Sequence, residues 1–120
     1  MRAIERVAQL LAEINFVLIT GGANTRRVLR NTNRIANALN YHCDIFYSYS
    51  AIIITVYDNA SKEKETIVKS IPHHGVNFNA ISDISILSWR VLEKKLPIEV
   101  IEREVAYIKQ KSHYNMYLMW

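Results

Sequence analysis

The sequence predicts an α+β domain of order ααβββαα, a small antiparallel three-stranded sheet packed with four helices. Three observations carry that prediction. Apolar residues recur at helical spacing towards both ends of the chain and at a spacing of two in the middle. Gly and Pro are scarce, 3 and 2 in 120 residues, so most of the chain belongs to regular elements. The length suits one ordinary domain, enough for a real core and too little for two.

The first helix is expected over residues 2–19, where Ile4, Val7, Ala8, Leu11, Ile14 and Leu18 form a stripe. Leu10 and Val17 widen that stripe, as contact with more than one neighbour requires. Gly21-Gly22 close the helix, since glycine accepts the left-handed conformation. Asn24-Thr25 then cap a second helix to about Leu39, with Val28, Thr32, Ile35, Ala36 and Leu39 inward. On a 100° wheel Arg26, Arg27, Arg30 and Arg34 fall on its outer side.

After Asn40-Tyr41 the period becomes two. Residues 43–49, 51–57 and 65–71 read as strands rich in β-branched and aromatic side chains. In the middle strand Ile52, Ile54 and Val56 share one face, while Ala51, Ile53, Thr55 and Tyr57 share the other. Both faces are mostly apolar, which predicts a central strand covered on both sides, by helices or by a partner subunit. Residues 72–75 read as a turn. A helix over 78–95 turns Ile81, Ile84, Leu87, Val91 and Leu92 inward. Pro97 suits a first helical residue, and Ile98, Ile101, Val105 and Ile108 mark a last helix ending near Lys111.

Composition narrows the class of protein. Half the residues are hydrophobic and 22% are charged, as in a globular chain. The one cysteine, Cys43, excludes an intramolecular disulfide and a cysteine-rich zinc site, and a reducing compartment is the simpler assumption. Glu5, Arg6, Gln9 and Glu13 interrupt the first apolar stretch, which therefore lacks the core of a secretory signal. No run approaches the roughly 18 apolar residues of a spanning helix, so the chain as given is expected to be soluble. Net charge is +4, with the arginines of the second helix concentrated in one place.

The last residues, 113–120, include Tyr114, Met116, Tyr117, Leu118, Met119 and Trp120 and follow Lys109 and Lys111. Two readings are open for this tail: it packs back on the 1–112 domain, or it begins a segment entering a membrane, where Tyr and Trp favour the interface.

Four stretches resemble, in order, the threonine/serine exporter family. Leu18-Ile19-Thr20-Gly21-Gly22-Ala23-Asn24-Thr25-Arg26-Arg27-Val28 is similar to its "GGA-x-x-x-x-V-E"-like segment. Arg34-Ile35-Ala36-Asn37-Ala38-Leu39-Asn40 resembles a helix ending in an "ALG"-like step. His74-Gly75-Val76-Asn77-Phe78 and Leu96-Pro97-Ile98-Glu99-Val100-Ile101-Glu102-Arg103 resemble two later elements. The resemblance implies a domain on the cytoplasmic face of the inner membrane, joined to a membrane-embedded part or partner subunit that exports threonine, serine or related small carboxylates. Its role would be in assembly, gating or regulation, and in this family the domain has also been described as hydrolase-like. Leu29 stands where the family often has an acid, so a role for that acid does not transfer. Asn40 replaces a glycine, which its tolerance of the left-handed conformation allows. The resemblance also favours the membrane reading of the tail.

Candidate sites are few. Gly21, Gly22, Asn24 and Thr25 precede a helix N-terminus that can hold a small anion, with Arg26 and Arg27 beside it. The competing reading is a structural cap, since the loop lacks a phosphate-loop lysine and follows no strand. Arg26, Arg30, Arg34, Lys109, Lys111 and Trp120 are candidates for contact with a membrane surface bearing anionic lipid, against the plainer reading of a solvated face. No recognised motif accompanies the charge for nucleic acid. Asp44, Asp58 and the His73-His74 pair are what a hydrolase-like enzyme would use. Asp44 and Asp58 read more simply as strand-end residues, and the histidines as an exposed turn. Cys43 alternates with Ile45 and Tyr47, as a core thiol does, and Ser48, Tyr49 and Ser50 lack a histidine partner. No metal set or cofactor motif is legible. Apolar strand surface and seven tyrosines are compatible with a homo-oligomer.

Overall fold

The computed structural model describes residues 2–48, 50–71 and 78–118, with the backbone alone for Phe78 and residues 112–118. Tyr49, His73, His74, Met119 and Trp120, with the 72–75 turn, lie outside the described residues. The elements run α1 (Ala3–Thr20), α2 (Thr25–Ala38), β1 (Tyr41–Tyr47), β2 (Ala51–Asp58), β3 (Lys64–Ser70), α3 (Phe78–Lys94) and α4 (Ile98–Leu118). The α+β order expected from the sequence is therefore the order of the fold.

The sheet is antiparallel with β2 in the centre. Its register sets Cys43 opposite Val56 and Ile45 opposite Ile54, which in turn faces Ile67. The side chains of Ile52, Ile54 and Val56 are buried, under α1, which lies across β2 and β3, and α2, which lies against β1. Helices α3 and α4 form a third layer, packed on α1, α2 and each other and not on the sheet.

Helix α1 packs against α2, β2, β3, α3 and α4, which explains its wide stripe: Ile4, Val7, Leu10, Leu11, Ile14, Val17 and Leu18 are all buried. Its end is the turn foreseen, with Gly22 at φ 95°. Asn40 ends α2 at φ 69°, a region where Asn is tolerated and most residues are strained.

A buried polar cluster ties three elements together. Asn15, fully buried on α1, donates from Nδ2 to the Leu11 carbonyl at 2.9 Å and to Thr32 Oγ1 on α2 at 3.0 Å. Its Oδ1 accepts from the Tyr47 hydroxyl on β1 at 3.4 Å. Burial, and after it the neighbouring Cys43, pushes the Tyr47 pKa up to about 12, so the hydroxyl remains a donor. Asn33 fastens α2 to β1 in the same manner, accepting from the Cys43 amide at 3.0 Å and donating to the Cys43 carbonyl at 3.3 Å.

Four expectations need correction. Among the described residues no helix covers the second face of the sheet; Phe46 and Val68 there are 64% and 65% exposed. That face keeps one apolar row, Phe46, Ile53 and Val68, between polar ones such as Asp44, Thr55 and Thr66. Leu92 faces out of α3, one step beyond the buried Val91. Arg34 lies in the seam between α2 and α3 rather than on the outer face of α2. Finally, α4 continues past Lys111 to Leu118, because residues 112–118 contain neither Gly nor Pro to stop it.

Candidate functional site

The segment from Gly21 to Arg27 is a tightly closed joint. The amides of Gly21, Gly22 and Ala23 donate to the carbonyls of Val17, Ile19 and Leu18 at 3.0, 3.0 and 2.9 Å. Asn24 is the N-cap of α2, its side chain accepting from the Arg27 amide at 2.9 Å. The glycine amides that an anion would need are thus spent on ending α1, while the Asn24 cap satisfies one orphan donor of α2, the Arg27 amide.

What the joint presents is arginine. Helix α2 carries Arg26, Arg27, Arg30 and Arg34 and no acidic residue. Arg26 and Arg30 are exposed, and Arg27 and Arg34 are partly buried. Among the described residues none of the four is in an ion pair. Arg26 and Arg27 also occupy the first turn, where the helix dipole disfavours cations by about 0.3–1 kcal/mol each. The pairs Arg26/Arg30 and Arg30/Arg34, four residues apart, each cost about 0.2–0.5 kcal/mol. This arrangement weakens the helix that carries it.

Arg34 is held in place by other means. Its guanidinium carbon lies 3.9 Å from the centre of the Trp89 ring on α3. Its Nη1 donates to Asn31 Oδ1 at 3.0 Å and to Ser88 Oγ at 2.9 Å. Partial burial, and after it the charge of Arg30, lowers the Arg34 pKa from its ordinary value, though a guanidinium stays protonated in practice. Beneath it the amide nitrogen of buried Asn31 has no acceptor.

The other cations singled out in the sequence stand differently. Glu13 on α1 takes both Lys69 of β3 and Lys109 of α4, the latter at 2.8 Å. Burial alone would raise the Glu13 pKa, but the hydrogen bonds from Lys109 and Lys69 outweigh it and hold the carboxyl below its ordinary range. Lys111 pairs with Asp83 at 3.6 Å. Arg6 meets Glu102 with two hydrogen bonds, at 2.7 and 3.0 Å. Between α1 and α4 a groove of about 320 Å³ has Leu10, Val105 and Ala106 along its apolar part and Glu13, Glu102 and Lys109 around it. Its charges are already satisfied by these pairs.

The carboxylates considered for hydrolysis do not converge. Asp44 is opposite Thr55 on the uncovered face of the sheet, whereas Asp58 has the parity of Ile52, Ile54 and Val56. Asp58 is also engaged in its turn, accepting from the Ala60 amide at 2.8 Å. Cys43 is buried, and desolvation, followed by the charge of Asp44, pushes its pKa up to about 12. Such a thiol is no nucleophile at neutral pH. Ser48 closes the hairpin, its amide donating to the Ala51 carbonyl at 2.9 Å. Among the described residues no three His, Cys, Asp or Glu side chains gather as a metal ion would require.

The sequence located the arginines but missed Trp89, Ser88 and Asn31, the residues that hold Arg34. A tryptophan and two short polar residues on neighbouring stripes carry no spacing signal of their own.

Comparison with curated proteins and with solved structures returned no match. A family model does match, over residues 9–120, and it is that of the threonine/serine exporters, ThrE.

Proposed function

This chain belongs to the threonine/serine exporter family, and we propose that it serves there as the extramembrane domain that assembles with, gates or regulates a membrane-embedded transport path. The match along residues 9–120 is the observation that carries this reading. A path for a small polar solute needs membrane-spanning segments, and among the described residues no helix is long and apolar enough to cross a membrane. The path is then supplied by a membrane-embedded part or a partner subunit, with this α+β domain on the cytoplasmic face of the inner membrane. The cargo is threonine, serine or a related small carboxylate. A non-catalytic role is supported by the separation of Asp44 from Asp58 and by the protonated Cys43.

The test is efflux. Cells loaded with a threonine- or serine-containing dipeptide should release the free amino acid more slowly when the gene encoding this chain is deleted, and recover on its return. Unchanged efflux of threonine, serine and small dicarboxylates would overturn the proposal.

A further inference from the structure

We propose that the seam of α2 and α3 is a docking surface for an anionic bilayer, with Arg26 and Arg30 among the phosphates and Trp89 and Ile86 at the level of the headgroups. The inference deepens the reading of the chain as a domain working at a membrane and rests on it.

Two observations converge on this surface. The first is charge: four arginines, no acidic residue on α2, and no ion pair among the described residues. Their mutual repulsion and their place at the positive end of the helix work against folding. An external anion relieves both. The second is an apolar stripe at the adjoining edge. Ile86, Trp89 and Leu92 recur every three residues on α3 and are 59%, 48% and 44% exposed. The two parts are continuous, because Arg34 is stacked on Trp89 and feels the charge of Arg30.

Cations on one side, apolar side chains on the other and a tryptophan where they meet are what an interfacial surface requires. Two carboxylates on α3 bear on the choice. Asp83 is already paired with Lys111. Glu93 is exposed one residue beyond Leu92 and sets the polar limit of the stripe. Duplex nucleic acid would use the arginines but has no use for an exposed Ile86–Trp89–Leu92 stripe. A bilayer uses both.

The 120-residue chain should co-float with vesicles of about one-third phosphatidylglycerol in phosphatidylcholine at about 0.15 M salt, and not with phosphatidylcholine alone. Arg26→Ala and Arg30→Ala should each weaken binding about fivefold, and together roughly 30-fold. Lys109→Ala and Lys111→Ala, which remove ion-paired cations, should change it by less than about twofold. In a Trp120→Phe background, emission from Trp89 should shift to the blue on the anionic vesicles. Equal binding to neutral vesicles, or binding indifferent to Arg26 and Arg30, would overturn the proposal. So would tighter arginine-dependent retention on duplex DNA than on vesicles, or a Trp89→Ala variant that lowers the apparent mass while binding vesicles unchanged. Because the vesicles contain no transporter, a failure here leaves the efflux result standing, and a failure of efflux leaves this one.

Discussion

Two cationic regions of similar composition are wired in opposite ways. On the side of α1, β3 and α4, Arg2, Arg6, Lys69 and Lys109 each meet one or more carboxylates, and Glu13 alone serves two lysines. Along α2, arginine follows arginine with no carboxylate in reach among the described residues. The first region spends its charge inside the molecule, joining distant parts of the chain. The second leaves its charge without an acidic partner among the described residues. Net charge alone does not separate the two; pairing does.

The contrast can be broken most sharply at Arg34, the one α2 arginine with structural work inside the fold. Arg34→Ala removes the Trp89 stack and leaves Asn31 and Ser88 without their shared donor, and should cost about 2 kcal/mol in urea unfolding. Arg34→Lys should recover less than half of that, since an ammonium lacks the planar fork. A cost near zero would place Arg34 with the free arginines after all.

A smaller effect is expected on the paired side. Glu13→Gln should lose about 1 kcal/mol at neutral pH, solvent screening having already reduced the value of a pair that is only partly buried. The sign with pH follows from the carboxyls of Glu13 and Glu102, both held below the ordinary 4.5. Their contribution is complete above about 4.5 and is lost as pH falls through the lower folded values. Stability measured from pH 7 down to 3 should therefore drop less in Glu13→Gln than in the wild type, and parallel curves would show that the pairs contribute nothing. The same substitution frees Lys69 and Lys109, so it should add some affinity for anionic vesicles.

The smallest effect has the opposite sign. Arg26→Glu places an acid in the first turn of α2, four residues before Arg30, and should raise stability by about 0.5 kcal/mol while weakening vesicle binding. A destabilised variant would mean that Arg26 has a partner within the fold.

Much of the architecture was legible because the apolar spacing changes from 3.6 to 2 and back, and because Gly22 and Asn40 sit where left-handed backbone is needed. What escaped was relational. A wheel gives an angle but not a neighbour, so Arg34 read as outward until α3 supplied Trp89 and Ser88, and Leu92 read as inward although no described helix covers that flank of α3. The apolar look of Ile53 and Tyr57 suggested a covered strand, but cover is decided by the whole face, and β1 and β3 contribute His42, Asp44, Lys64 and Thr66 to it. The α2 arginines were legible as a group. Which cations were already satisfied was not, because Arg6, Lys69 and Lys109, and Arg2 apart from its bond to nearby Glu5, find partners 56 to 96 residues away.

The buried amide of Asn15 has a consequence for how uniquely the chain settles. Leucine and valine stripes tolerate sliding, since one apolar contact replaces another. Asn15 does not, for it answers at once to Thr32 and Tyr47. A slip of α1 by one turn would carry it about 5.4 Å away and strand polar groups in a dry interior, at about 1–3 kcal/mol apiece. One side chain thus acts as the index mark by which the correct alignment is told from its near neighbours.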